Sequence, residues 1–226
     1  MGEVLQALPL ARVGINDQLR QSPLSETAYY LIALETAPAP VGLHELFEAT
    51  LGSVRRQGGG LVDQHALFVC LLERRELRGT LPSWSITRLP GTLFTDYVGA
   101  AEVLARDLIY EAGHHWFNYA LATAAVLLPD DVTFYSPWRE TTCPVFGFLH
   151  ACWAFSLTAI YSASALDGAP PPARAFLDGY LTEQGRFLRA AVLDFAKAAT
   201  LITSTPVRER VSWAMDAALQ CTPRPQ

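Results

Sequence analysis

Apolar residues recur at helical spacing along most of the chain, and the places where that rhythm breaks divide it into elements. Over "SPLSETAYYLIALE" (22–35) the spacing predicts a helix with Ser25 as N-cap. "APAP" interrupts it, because proline removes a backbone donor and clashes with the preceding turn. "GLHELFEATLGSVRR" (42–56) predicts a second helix, closed by the glycines of "QGGG". "LVDQHALFVCLLERREL" (61–77) continues the pattern and reads as a third. The rhythm then changes. "GTLPSWSITRLPGTLFTDY" mixes Pro, Gly, Ser and Thr with aromatic and β-branched residues, which predicts a short irregular excursion or a β-hairpin near 79–97.

From Val98 to Leu128 the pattern predicts one long helix. "PDDVTFYSPWRETTCP" reads as a loop between Pro129 and Pro144, followed by a very apolar helix from Val145 to about Ser164. After the break at "DGAPPP", "ARAFLDGYLTEQGRFLRAAVLDFAKAA" predicts a long amphipathic helix and "TPVRERVSWAMDAALQ" a last one. There is no internal repeat. The expectation is a mainly α fold in a single domain, 1–226. An N-terminal helical part (1–97) would precede a helical core (98–226), whose Val98–Leu128 and Val145–Ser164 helices pack face to face near Gly147.

Composition narrows the function classes. Half of the 226 residues are apolar and 17% are charged, enough to bury a sizeable core. A net charge of −5 argues against a nucleic-acid partner, which would require a basic face. The four cysteines show no CxxC spacing, and no basic, apolar leader opens the chain; both point to reduced, mostly buried thiols in a cytoplasmic protein. The apolar stretch 146–160 is short and carries His150, so no membrane span is expected.

The candidate chemistry lies in "ARDLIYEAGHHWFNYAL" (105–121). Glu111 and His114 stand at i and i+3 and share a helical face, with Asp107 and Asn118 one turn to either side. A zinc protease helix needs histidines at i and i+4, and Tyr110 occupies the position of the first, so zinc-dependent hydrolysis is the weakest reading. His150 lies in the apolar "GFLHACWAF", where an unpaired polar group is costly. Glu111, His114 and His150 together make the two-histidine, one-carboxylate set of non-heme Fe(II) oxygenases. Arg139, in "FYSPWRE" beside Tyr135 and Trp138, offers the fork that a carboxylate-bearing cosubstrate needs. The bland alternatives are a surface Glu–His ion pair, a satisfied core histidine and a loop salt bridge. His115 points about 100° away from His114, as neighbours on a helix do.

Two stretches carry a family resemblance. "LIYEAGHHWFNYAL" is similar to a pattern L-x-HExxH-x-x-x-N-x-L, and "YSPWRETTCPVFGFLHACWAF" to Y-x-PWR-x-x-x-RP-x-x-G-x-LH-x-x-x-AF. Over roughly residues 105–155 the chain resembles the HExxH-motif peptide-modification proteins, iron- and 2-oxoglutarate-dependent peptide β-hydroxylases of ribosomal natural-product pathways. The resemblance implies Fe(II) held by Glu111, His114 and His150, with 2-oxoglutarate held through Arg139. It further implies a peptide substrate, with or without a leader, and a pocket shaped by Tyr110, Asn118, Tyr135, Trp138 and Asp107. The chain departs from the pattern at Tyr110, in place of the first histidine, and at Cys143, in place of an arginine. A non-catalytic paralogue that binds peptide or a partner enzyme is the alternative those departures raise.

Overall fold

The computed structural model describes residues 42–57, 59–77, 83–85 and 89–223; the expected 22–35 helix lies outside them. Its elements are α1 (Leu43–Arg56), α2 (Gly60–His65), β1 (Phe68–Arg74), β2 (Ser83–Ser85), β3 (Thr92–Tyr97), α3 (Ala101–Thr123), β4 (Thr133–Ser136), β5 (Thr141–Pro144), α4 (Val145–Ala165), α5 (Pro171–Ala199) and α6 (Thr205–Cys221). The fold is mainly α.

The helix expected over 61–77 is half helix and half strand. "FVCLLER" is too short an apolar run for its period to separate strand from helix. It pairs parallel with β3 (Val69 with Leu93, Cys70 with Phe94), and β2 lies antiparallel on the other side of β3, giving the order β1-β3-β2. The excursion near 79–97 is therefore two strands of a three-stranded sheet. Trp84 stacks on its cross-strand partner Phe94 at 5.8 Å. Two glycines carry the left-handed backbone this region requires, Gly42 (φ 87°) before α1 and Gly91 (φ 78°) in the turn into β3.

The expected 129–144 loop also holds structure: β4 and β5 form an antiparallel hairpin, pairing Phe134 with Cys143 and Ser136 with Thr141. Its four-residue tip is Pro137–Glu140, closed by Arg139 N–H donating to the Ser136 carbonyl at 3.2 Å.

α3 and α4 run antiparallel at the centre. Contact pairs fall in descending register: Tyr110 with Phe155, Gly113 with Trp153, His114 with His150 and Phe117 with Phe146. The close approach is at Gly113, not at Gly147. A Cβ on Gly113 would come 2.9 Å from Leu157 Cδ1 and 3.5 Å from Trp153 Nε1, whereas one on Gly147 would meet nothing nearer than 4.0 Å. α4 is apolar on every side because α3, α5 and α6 all pack on it. Among the described residues, Val145–Gly168 is one helix long and apolar enough to cross a membrane, which the sequence reading did not expect; its burial by three helices accounts for the same composition. Two apolar clusters result. One joins α1, the sheet, the first half of α3, the end of α4 (Tyr161, Ala165) and the start of α5 (Ala173, Leu177); the other joins the second half of α3 with the rest of α4 and α5 and with α6, and Leu157 and Leu166 touch both. The Ser53 and Tyr161 hydroxyls, 2.7 Å apart, tie α1 to α4. The four cysteines are free, but only Cys143 and Cys152 are buried; Cys221 is exposed.

α3 stops at Thr123 rather than Leu128, because the chain turns left-handed at Ala125 (φ 50°). Val126 N–H donates back to the Leu121 carbonyl at 2.9 Å and Ala125 N–H to Ala122 at 3.1 Å, the two bonds of a Schellman cap. An L-residue there costs about 1 kcal/mol that glycine does not. Ala125→Gly is expected to raise the unfolding free energy by about that much in urea titrations, and a lower midpoint would contradict the cap.

Candidate functional site

The middle turns of α3 face the first half of α4, and this contact brings two of the three expected metal ligands together. His114 Nδ1 and His150 Nε2 lie 2.7 Å apart. Without a metal, that separation requires one ring to donate and the other to accept. Adjacent ligands on one first-row metal, each with a bond near 2.1 Å, stand about 3 Å apart, so the pair spacing is compatible with a shared ion. Burial, then the neighbouring ring, pushes His114 down to about 2; burial pushes His150 down to about 4, with Arg139 adding to it. Both rings are neutral at pH 7, the form that ligates.

The pair sits in a column of rings. Tyr110 meets His114 edge-on at 4.3 Å, and Phe146 and Phe117 cover His150 at 5.2 and 5.6 Å. Burial and Glu111 raise the Tyr110 phenol, so it keeps its proton at neutral pH.

Glu111, the third expected ligand, is 2% exposed. Burial pushes its carboxyl up, and hydrogen bonds from Ser83 and Ser85 on β2 pull it back, while Oε2 has no hydrogen-bond partner. The carboxylate is thus engaged by the sheet through one oxygen only. Among the described residues no three His, Cys, Asp or Glu side chains form a group that could hold a metal. The histidines and the one unpartnered oxygen suit a metal in kind, and the assembled pair is what the structure contains.

Arg139 is exposed at the hairpin tip, and its charge bears on Tyr110, His114, His150 and Cys143. Cys143, where the resemblance expects arginine, is a buried thiol pushed up by burial. Trp138 stacks flat on Phe155 at 4.9 Å and donates from Nε1 to Gln184 Oε1 at 2.8 Å. It lines a cavity of about 890 Å³ together with Asp107 and Tyr110, the ring that meets His114 edge-on; Glu111, His114 and His150 are not in that lining. The other expected pocket residues stand apart. Tyr135 is 51% exposed on β4, outside that lining, because its strand register turns it outward while Ser136 turns in. Asn118 is half-buried and also outside the lining. His115 points away as expected, with Nε2 3.3 Å from the Thr92 carbonyl.

The far wall of the cavity comes from α5, which motif reading did not reach. Phe176, Tyr180, Gln184 and Phe187 recur at three- and four-residue spacing on its inner face. Arg106, also missed, lies buried between Phe176 and Tyr180, with its carbon centre 5.0 and 4.7 Å from the ring centroids. It donates from Nε at 2.9 Å, and from a second nitrogen, to the same Asp107 oxygen. No family model matches the chain, and no curated protein is significantly similar to it.

Proposed function

We propose that this protein is a metal-dependent oxygenase acting on a peptide, with Fe(II) as the metal and 2-oxoglutarate as cosubstrate. The observation that carries the reading is the 2.7 Å approach of His114 Nδ1 to His150 Nε2, joined through Tyr110 to a large, aromatic-lined cavity. Two half-buried imidazoles that converge from separate helices, both held neutral, are in the form that ligates a metal. The sequence resemblance over 105–155 supplies the choice of iron and of 2-oxoglutarate.

In this reading His114 and His150 would hold the iron and Glu111 would join them through the oxygen that has no other partner, a step the described side chains do not already make as one group of three. Bound Fe(II) supplies activation of O2 for oxidation of a substrate C–H bond. The protein supplies placement and dryness. Arg139 attracts the cosubstrate carboxylate from the hairpin tip, the cation left to that task where Cys143 replaces the second arginine. Phe117, Phe146 and Tyr110 pack around the pair and keep water from it. Trp138, pinned by Gln184, fixes the hairpin against the cavity mouth.

A second reading, a peptide-binding paralogue without catalysis, is favoured by one observation: the Glu111 carboxylate is held by the Ser83 and Ser85 hydroxyls. Anaerobic Fe(II) titration of the wild type and Tyr110→His separates the two. The oxygenase reading expects one Fe(II) per chain in both proteins. It also expects succinate formation with peptide and 2-oxoglutarate, changed by Tyr110→His no more than the roughly 10–100-fold typical of groups around metal ligands. A wild type that stays empty beside a Tyr110→His variant that fills would establish the second reading.

A further inference from the structure

We propose that the cavity joined through Tyr110 to the histidine pair is a recognition subsite for a positively charged side chain, arginine or lysine, of the peptide substrate. The inference rests on the proposed function for the peptide; the charge preference comes from the cavity itself.

Its charged lining is Arg106, Asp107 and Glu183, an excess of one negative charge. Arg106 is already matched, because both of its donating nitrogens go to Asp107 Oδ1. Asp107 is 5% exposed, and its other oxygen, Oδ2, has no hydrogen-bond partner. A buried carboxylate oxygen without a donor is unfavourable, so it is an acceptor free to take a ligand N–H. Glu183 stands exposed at the rim, where it draws a cation inward. Between rim and floor the walls are aromatic: Trp138, Phe155, Phe187 and Tyr180. Negative ring faces favour a cation and its aliphatic stem. The protein uses the same chemistry internally, since Arg106 rests between Phe176 and Tyr180 and Arg186 stands 4.4 Å from the Phe187 centroid. The size also fits, because about 890 Å³ takes a peptide segment of several atoms' width rather than one small ion. Tyr110, which borders both the cavity and His114, connects the subsite to the reacting centre.

The test measures binding of four acetylated, amidated tripeptides, Gly-X-Gly with X arginine, lysine, citrulline or glutamate, to EDTA-treated full-length protein. The readouts are tryptophan fluorescence and calorimetry. Arginine and lysine peptides are expected to bind about tenfold or more tighter than the citrulline peptide, and the glutamate peptide weakest. Glu183→Gln, an exposed position that leaves folding intact, should weaken the cationic peptides about threefold and leave citrulline unchanged. Asp107→Asn should abolish the preference. Equal binding of arginine and citrulline peptides, or no binding of any at millimolar concentration, overturns the subsite. Because the assay contains no metal, its failure is separate from that of the oxygenase reading: Fe(II) binding without charge preference removes only the subsite, and charge preference without Fe(II) binding removes only the metal.

Discussion

Trp153→Ala is expected to destabilise the protein by about 3–5 kcal/mol, the range for emptying a fully buried aromatic site. Trp153 is 1% exposed and stands where α3 and α4 come closest. Its Nε1 donates to the Gly113 carbonyl at 2.9 Å, a bond that crosses between the helices. Its ring stacks on Trp116 at 4.3 Å. Loss of the ring leaves a void that the helices cannot close without moving the His114–His150 contact, one turn away. Trp153→Phe keeps most of the volume and loses the cross-helix bond, so about 1–2 kcal/mol is expected. Trp213→Ala, at 52% exposure, serves as control with about 1 kcal/mol or less. Urea denaturation followed by circular dichroism measures all three. A Trp153→Ala cost no larger than the Trp213→Ala cost would mean that the α3–α4 seam is not packed as described.

That seam was largely legible in the sequence, for a physical reason. α3 and α4 are long, and their apolar content leaves few other structures open; Glu111 and His114 stood out by their i, i+3 spacing, and His150 because it is polar where its neighbours are not. Three things were not legible. The strand Phe68–Arg74 has too few residues for its period to distinguish it from a helix, and only pairing with Thr92–Tyr97 decides it. The close approach at Gly113 depends on the register between α3 and α4, which periodicity does not fix, so Gly147 was an equally good candidate. The Arg106–Asp107 pair runs against helical spacing, since neighbours at i and i+1 normally point apart. It forms because Phe176 and Tyr180, some 70 residues on, hold the guanidinium back over its own helix. The α5 wall carried a readable signal in the spacing of Phe176, Tyr180, Gln184 and Phe187, but that spacing equally describes any amphipathic helix.

On the proposed metal reading, His150→Ala is expected to lower Fe(II) affinity by more than about 100-fold, beyond the range for losing a group around the ligands, because it removes a proposed ligand itself. The remaining His114 and Glu111 lie on one helix, and a cross-helix clamp becomes a single-helix contact. His115→Ala is the matched control. It deletes an imidazole one residue from His114, but that ring is turned toward the Thr92 carbonyl, 3.3 Å away, and serves the α3–β3 contact. Its expected effect is a small loss of stability, within about 1 kcal/mol, with Fe(II) stoichiometry unchanged. Both variants are to be loaded anaerobically and read by iron content, with Co(II) absorption as a second probe of ligand number. Burial keeps both members of the His114–His150 pair neutral well below pH 7, with His150 at about 4, and raises the Glu111 carboxyl, so wild-type loading should fall as the solution is made acid, with Glu111 protonated before the histidines. Equal iron in His150→Ala and His115→Ala would remove His150 from the ligand set, and the 2.7 Å contact would then be a hydrogen bond that holds two core helices together.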